Sequence, residues 1–234
     1  MANISEQARE IRKIWSMYQS SRVLLTANNF RLFDYLEKPV SAAGIAKKLK
    51  TDRRATEILL DALTGMGLLK KGKVGYRNSA MASRFLVSGR EHYQGDIIRH
   101  ADALWDSWSR LDRVVKTGAP AGGPRKHEAF ILGMHNLASF RAGDIVREAG
   151  VARVKKALDL GGGPGTYALK MARSGIEVTL FDTPETIAIA RKVISGARGS
   201  RGIIHFRAGD FLKDDLGSGY DLIFISQILH AYPE

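Results

Sequence analysis

The run Ala157-Leu158-Asp159-Leu160-Gly161-Gly162-Gly163-Pro164-Gly165 limits what this chain can fold into more than any other stretch. An apolar segment ends on an acid, a glycine-rich turn follows at once, and Thr166 to Ser174 then reads as a helix packing through Ala168, Leu169 and Met171. Strand, tight loop and helix make the first half of a βαβ unit. Glycines let a ligand approach the backbone closely, and N–H groups left unpaired at a helix start suit an anion. Many tight turns contain glycines, so the case rests on what comes next.

What comes next is a regular alternation. Val154 to Leu160 reads as the first strand, Glu177 to Phe181 as the second, Ile203 to Arg207 as the third and Tyr220 to Ile225 as the fourth. Helices fall at Thr166 to Ser174 and at Pro184 to Ile194, where the proline suits a first turn. The strands are nearly continuous apolar runs, as in a parallel sheet covered on both faces. The fold class is therefore α/β, a Rossmann-like doubly wound parallel sheet with four strands readable. In such sheets ligands gather at the carboxyl ends of the strands. Each end here is furnished: Asp159 with the glycine loop, Asp182, Asp210 with Phe211, and the segment before His230.

The first part of the chain has a different rhythm. Ile11, Ile14, Trp15 and Tyr18 mark an amphipathic helix over Ser5 to Gln19, and a second covers Ser21 to Leu36 until Pro39 stops it. The core side of that second helix is read as Val23, Leu24, Ala27, Phe30, Leu32 and Phe33. The first apolar stripe has little preceding chain to cover it; a second subunit or a later domain would serve. Ser41 is placed to cap Ala42 to Leu49, and Thr51 or Asp52 to cap a helix ending near Met66, with Ala55, Ile58, Leu59, Ala62 and Leu63 on one side. Leu68 to Lys70 and Val74 to Arg77 form a hairpin around Lys71-Gly72-Lys73. Helices followed by a hairpin make a mainly helical winged-helix domain. Between the two regions, Thr117 to Pro124 is a loop, and Phe130, Ile131 and Met134 open a helix running to about Ala149. Trp105, Phe130 and Met134 are candidates for lining a pocket for a flat organic molecule, although aromatics at helical spacing are more often plain core.

A net charge of +12 raises nucleic acid as a partner. The excess is uneven: residues 1–100 hold 18 Lys and Arg against 9 Asp and Glu, and residues 101–234 hold 18 against 15. A DNA-binding reading would use Arg53 and Arg54 on the third helix and Lys70, Lys71, Lys73 and Arg77 on the wing. Against it, Glu57 and Asp61 share that helix, and no Asn or Gln there could read an adenine edge. The absence of cysteine excludes disulfides, iron–sulfur clusters and thiolate zinc sites, and no metal site is read. No apolar run approaches a membrane span, the amino terminus lacks the core of a signal peptide, and a cytoplasmic protein is the default.

A nicotinamide dinucleotide site is one alternative. Gly163-Pro164-Gly165-Thr166-Tyr167-Ala168 fits G-x-G-x-x-A, and Asp182 lies 19 residues beyond Gly163. Asp159 and Asp210, however, have no place in that fingerprint. The ordered series Asp159 to Gly165, Phe181-Asp182-Thr183-Pro184, Gly209-Asp210-Phe211 and Ile228-Leu229-His230 instead resembles the class I S-adenosylmethionine-dependent methyltransferases. The winged-helix front and the Gly133-Met134 pair resemble the small-molecule O-methyltransferases typified by the caffeic acid and hydroxyindole enzymes, and the likeness spans essentially the whole chain.

That resemblance implies roles. Gly161 and Gly163, with Gly165 in the same loop, would hold the methionine part of S-adenosylmethionine. Asp182 would accept hydrogen bonds from both ribose hydroxyls, Asp210 would meet the adenine amino edge, and Phe211 would pack on the ring. Asp159 would support the loop. Residues 1–88 would be a winged-helix dimerisation domain making a homodimer, and 89–234 linker helices plus a partial cofactor domain. His230 would be the general base that takes the proton from the hydroxyl of a small, aromatic acceptor. His205, His100 and His127 have no comparable context. The family often follows its base with Asp-Trp, where this chain has Ala231-Tyr232, and its sheet has seven strands. The expectation is a fragment of a longer enzyme, with the Leu222 to Ile225 strand left at an edge.

Overall fold

The computed structural model describes residues 3–123, 126–196 and 202–229. They form two compact units that divide at Gly123/Pro124.

The first unit begins with α1, Ile4–Asn29, started by a reciprocal capping box between Asn3 and Glu6. The two helices expected here are one, because nothing between Gln19 and Ser21 interrupts the ladder. The break comes later. Arg31 adopts a left-handed conformation (φ 49°), after which Leu32–Tyr35 forms a single 3-10 turn. That reversal buries Leu32 and Phe33 but leaves Phe30, expected in the core, 41% exposed. Next come α2, Ala42–Leu49, and α3, Arg53–Gly65. Ser41 caps the first through Gly44 N–H and Asp52 the second through Ala55 N–H. Ile58, expected on the packed side of α3, is exposed.

The wing is β1, Leu69–Lys71, antiparallel to β2, Tyr76–Asn78, about a residue beyond the expected hairpin. Val40 bridges to Tyr76, tying the segment before α2 to the wing. Helices α4 (Ala80–Phe85), α5 (Gly95–Trp108) and α6 (Leu111–Thr117) complete the unit. Its core gathers Phe33, Leu36, Ile45, Leu60, Leu63 and Leu69, and α5 is held to α1 by Arg22–Asp102 and Asn28–Gly95 hydrogen bonds.

The second unit starts with α7, His127–Ser139, and α8, Ala142–Glu148. One helix to Ala149 was expected; the chain instead turns at Phe140 and Arg141, and Gly150 (φ 72°) closes α8. Then follow β3 (Lys156–Leu160), α9 (Thr166–Arg173), β4 (Glu177–Asp182), α10 (Pro184–Ser195), β5 (Ile204–Ala208) and β6 (Leu222–Ile225). All pairings are parallel and the order is β5-β4-β3-β6, so β3 and β4 are central and the order reverses beside β3. The expected α/β parallel sheet behind a helical, winged front is present. Ala157, Leu158, Val178 and Leu180 are fully buried, whereas β6 is an edge with Ile223 54% exposed. Among the described residues no helix is long and apolar enough to cross a membrane, and no group of three or more His, Asp and Glu side chains is placed to hold a metal.

Candidate functional site

The parallel ladder brings the ends of β3, β4 and β5 side by side. Leu160 pairs with Phe181, and Asp182 with Ala208, so the glycine loop, Asp182 and the Gly209-Asp210 turn emerge on one edge. The loop is fastened to β4 by backbone: Gly161 N–H donates to Phe181 O at 2.8 Å, and Gly165 N–H closes a turn on Gly162 O at 3.0 Å. Gly163 (φ 55°) and Gly165 (φ 76°) hold left-handed conformations that glycine adopts without strain. A side chain on Gly165 would also strike Leu180 and Ile194, whereas nothing lies within 4 Å of the space beside Gly163. Gly165 is fixed for packing, Gly163 for access.

Asp182 joins the two loops. Its Oδ2 accepts from Gly163 N–H at 2.8 Å and its Oδ1 from Thr183 N–H at 2.7 Å. The carboxylate is thereby held in one orientation, half-buried, with lone pairs left for a ligand's hydroxyls.

Asp159 lies beneath, 1% exposed, with Oδ2 accepting from Ala168 N–H at 3.0 Å and Gly162 against its carboxyl. Burial pushes its pKa up to about 7; the Ala168 hydrogen bond opposes that and the Asp182 charge adds to it. This corrects one expectation. The N-terminal turn of α9 does not offer all its N–H groups to an anion, because the chain's own Asp159 occupies part of that position. The Gly161 and Gly163 N–H groups are also engaged internally, and the open space beside Gly163 is what the loop leaves for a ligand.

Asp210 is half-buried at the end of β5. Its Oδ1 accepts from Leu212 N–H and its Oδ2 from Lys213 Nζ at 2.9 Å. The Lys213 ammonium, with Leu212 N–H, holds its carboxyl below the usual range, so it is an acceptor at neutral pH. Asp214 closes the turn by accepting from Asp210 N–H at 2.7 Å. Phe211 packs on Leu158, Leu160 and Phe181.

The remaining candidates are spread. Phe130 and Met134 sit one helical turn apart on α7. Trp105 belongs to the first unit, where the Arg22 guanidinium lies 5.4 Å above its ring. His230 lies outside the described residues. Sequence reasoning missed a set of polar contacts: His135 Nδ1 lies 2.9 Å from Thr166 Oγ1, and His127 Nε2 lies 3.1 Å from Thr186 Oγ1. Their spacing with Ile131, four residues apart each time, was the available signal.

A parallel α/β sheet with a glycine loop after its first strand and a fixed acid after its second is the class of protein that binds a nucleoside-bearing cofactor at the strand ends. Comparison with known proteins narrows this. A family model described as O-methyltransferase dimerisation domain matches residues 13–88, and one described as O-methyltransferase domain matches 115–234. The chain belongs to the O-methyltransferase family. It is similar to 3-hydroxy-5-methyl-1-naphthoate 3-O-methyltransferase of Streptomyces sahachiroi, 31% identical over 92% of this chain and 66% of that protein. It is 30% identical to acetylserotonin O-methyltransferase of Rattus norvegicus, over 98% of this chain and 58% of that protein. The solved structure "PigF with SAH" aligns with 27% identity and a TM-score of 0.76, over 93% of this chain and 70% of that one. The chain thus spans less than two thirds of the length of these two curated relatives.

Proposed function

We propose that this chain belongs to an enzyme that moves a methyl group from S-adenosylmethionine to a hydroxyl of a small, aromatic molecule. The observation that carries the reading is the Asp182 carboxylate, locked between the Gly163 and Thr183 N–H groups at the mouth of the glycine loop. Family membership and the S-adenosylhomocysteine in the PigF structure support it. The residues present fit such a group. Asp182 would hold both ribose hydroxyls, Asp210 the adenine amino edge, and Phe211 the ring face. Gly161, Gly163 and Gly165 would receive the methionine part, with Asp159 beneath them. When bound, S-adenosylmethionine supplies a methyl group on a sulfonium sulfur, open to in-line attack.

The protein's own work is to align the acceptor oxygen and to relieve it of its proton. A protonated phenol is a poor nucleophile, and His230 would take that proton on a ring nitrogen. Phe130 and Met134, one turn apart on α7, would line the acceptor's pocket. Positioning alone contributes much of the acceleration expected of such a site. Titration calorimetry with S-adenosylhomocysteine, with NADH as control, tests the reading. Binding of the homocysteine product is expected; binding of NADH in its place would overturn it and favour the dehydrogenase alternative.

Residues 1–88 are proposed to be the dimerisation domain, with 89–234 the linker helices and cofactor domain, and the complete protein a homodimer in the cytoplasm. Ile11, Ile14, Trp15 and Tyr18 are each more than half exposed on α1, the stripe a second subunit would cover. Trp15→Glu is expected to shift the protein from dimer to monomer in analytical ultracentrifugation; an unchanged sedimentation coefficient would assign the dimer contact elsewhere. The basic surface is read as solvated rather than as a nucleic-acid interface, since Lys71 is committed to Asp61 at 2.7 Å.

A further inference from the structure

Three residues on α7, His127, Ile131 and His135, recur at intervals of four and so share one side of the helix. Ile131 is buried, and the histidines on either side of it reach the first turns of two different helices. His135 Nδ1 meets the hydroxyl of Thr166, the first residue of α9, which is 3% exposed. His127 Nε2 meets the hydroxyl of Thr186 in the first turn of α10, which is 2% exposed. Thr186 Oγ1 lies 2.9 Å from Thr183 Oγ1, and Thr183 N–H donates to Asp182 Oδ1. Asp182 Oδ2 in turn accepts from Gly163 N–H, three residues before Thr166. The contacts close a ring from α7 through Thr166, Gly163, Asp182, Thr183 and Thr186 back to α7.

Strand pairing fixes where both loops begin. It does not fix where they end, because each loop runs into a helix that can tilt on the sheet. We propose that His127 and His135 are positioning residues that clip the first turns of α9 and α10 to α7 and so set the gap between the glycine loop and Asp182. This inference rests on the cofactor reading above. Buried threonine hydroxyls need a hydrogen-bond partner, and these two contacts tie the starts of α9 and α10 to one helix. The two clips also differ in reach. His135 uses the ring nitrogen nearer its backbone and His127 the farther one, so asparagine can stand in for the first and glutamine for the second.

The test is S-adenosylhomocysteine titration of the full chain, with thermal unfolding measured without ligand. His135→Ala and Thr166→Val are each expected to weaken binding by about tenfold, as loss of a buried hydrogen bond does. The double variant should lose less than the sum of the two single losses, since both variants remove the shared His135–Thr166 contact. His135→Asn should return affinity to within about threefold of wild type. His127→Ala should weaken binding to a similar degree, with His127→Gln restoring it. Thr166→Val keeps the side-chain shape, so it reports even if the alanine variants fold poorly. Equal affinity in wild type, His135→Ala and Thr166→Val overturns the inference and leaves the cofactor reading standing. An asparagine variant as weak as alanine also overturns it, because ring packing would then be what matters. Wild type that binds no S-adenosylhomocysteine overturns the cofactor reading itself, and this inference with it.

Discussion

Asp182→Ala is expected to weaken S-adenosylhomocysteine binding by at least about a hundredfold, with the chain still folded. The magnitude follows from what the carboxylate would do. Two ribose hydroxyls donating to an ionised acceptor make charge-assisted hydrogen bonds worth about 1.5–3 kcal/mol each, and alanine loses both. The variant also releases Gly163 N–H and Thr183 N–H, which loosens the link between glycine loop and β4. Those groups sit near the surface, where water can replace the lost acceptor, so the cost to folding is about 1 kcal/mol. Asp182→Asn separates the two effects. Its amide oxygen can still accept from Gly163 N–H, but its nitrogen meets a ribose hydroxyl as a donor, and an intermediate loss of about tenfold is expected. Titration calorimetry and a thermal scan on the three proteins decide it. An alanine variant that binds within about threefold of wild type would remove Asp182 from the cofactor site and with it the main support for the assignment.

The parts of this fold that were legible in the sequence are those with local causes. Ser41 and Asp52 cap their helices through N–H groups three residues on, and Pro184 opens α10; each signal acts within a single turn. The β3–loop–α9 unit was legible because its apolar run, glycines and following helix are contiguous. Two breaks were not. Arg31 takes a left-handed conformation without glycine or asparagine to announce it, and the turn at Phe140 and Arg141 splits α7 from α8 with no proline or glycine at the joint. Packing of Leu32 and Phe33 against the first core decides the former, a tertiary cause invisible to periodicity. The candidate site divides the same way. Strand-end acids follow from strand order, whereas the His135–Thr166 and His127–Thr186 contacts span 31 and 59 positions. No local pattern joins such pairs; only the sheet's topology places them together.

Asp159→Asn is expected to change the pH dependence of stability more than any other single substitution in the second unit. The buried carboxyl titrates near about 7 in the folded chain and near an ordinary aspartate value when unfolded, because burial penalises the charged form. Folded protein therefore holds this proton where unfolded protein has released it. The sign follows: Asp159's contribution is fully present below about pH 4 and is lost as pH rises through about 7, after which it is constant. At about 1.4 kcal/mol for each tenfold difference in proton affinity, the loss is on the order of a few kcal/mol. Carboxylates with lowered values act in the opposite sense: Glu37, Asp210, Asp215 and Asp221 gain partners on folding and contribute stability above their unfolded range. The wild-type profile is thus a sum of opposed trends, and the informative quantity is its difference from the variant. Asparagine preserves the volume and can accept from Ala168 N–H through its amide oxygen, while any cost of its extra donors is the same at every pH. Chemical denaturation between pH 4.5 and 8 should show wild type falling relative to Asp159→Asn up to about pH 7, with the gap level above that. Parallel curves would mean that Asp159 is ionised throughout. The N-terminal turn of α9 would then be the stronger influence, stabilising the carboxylate by more than burial costs it.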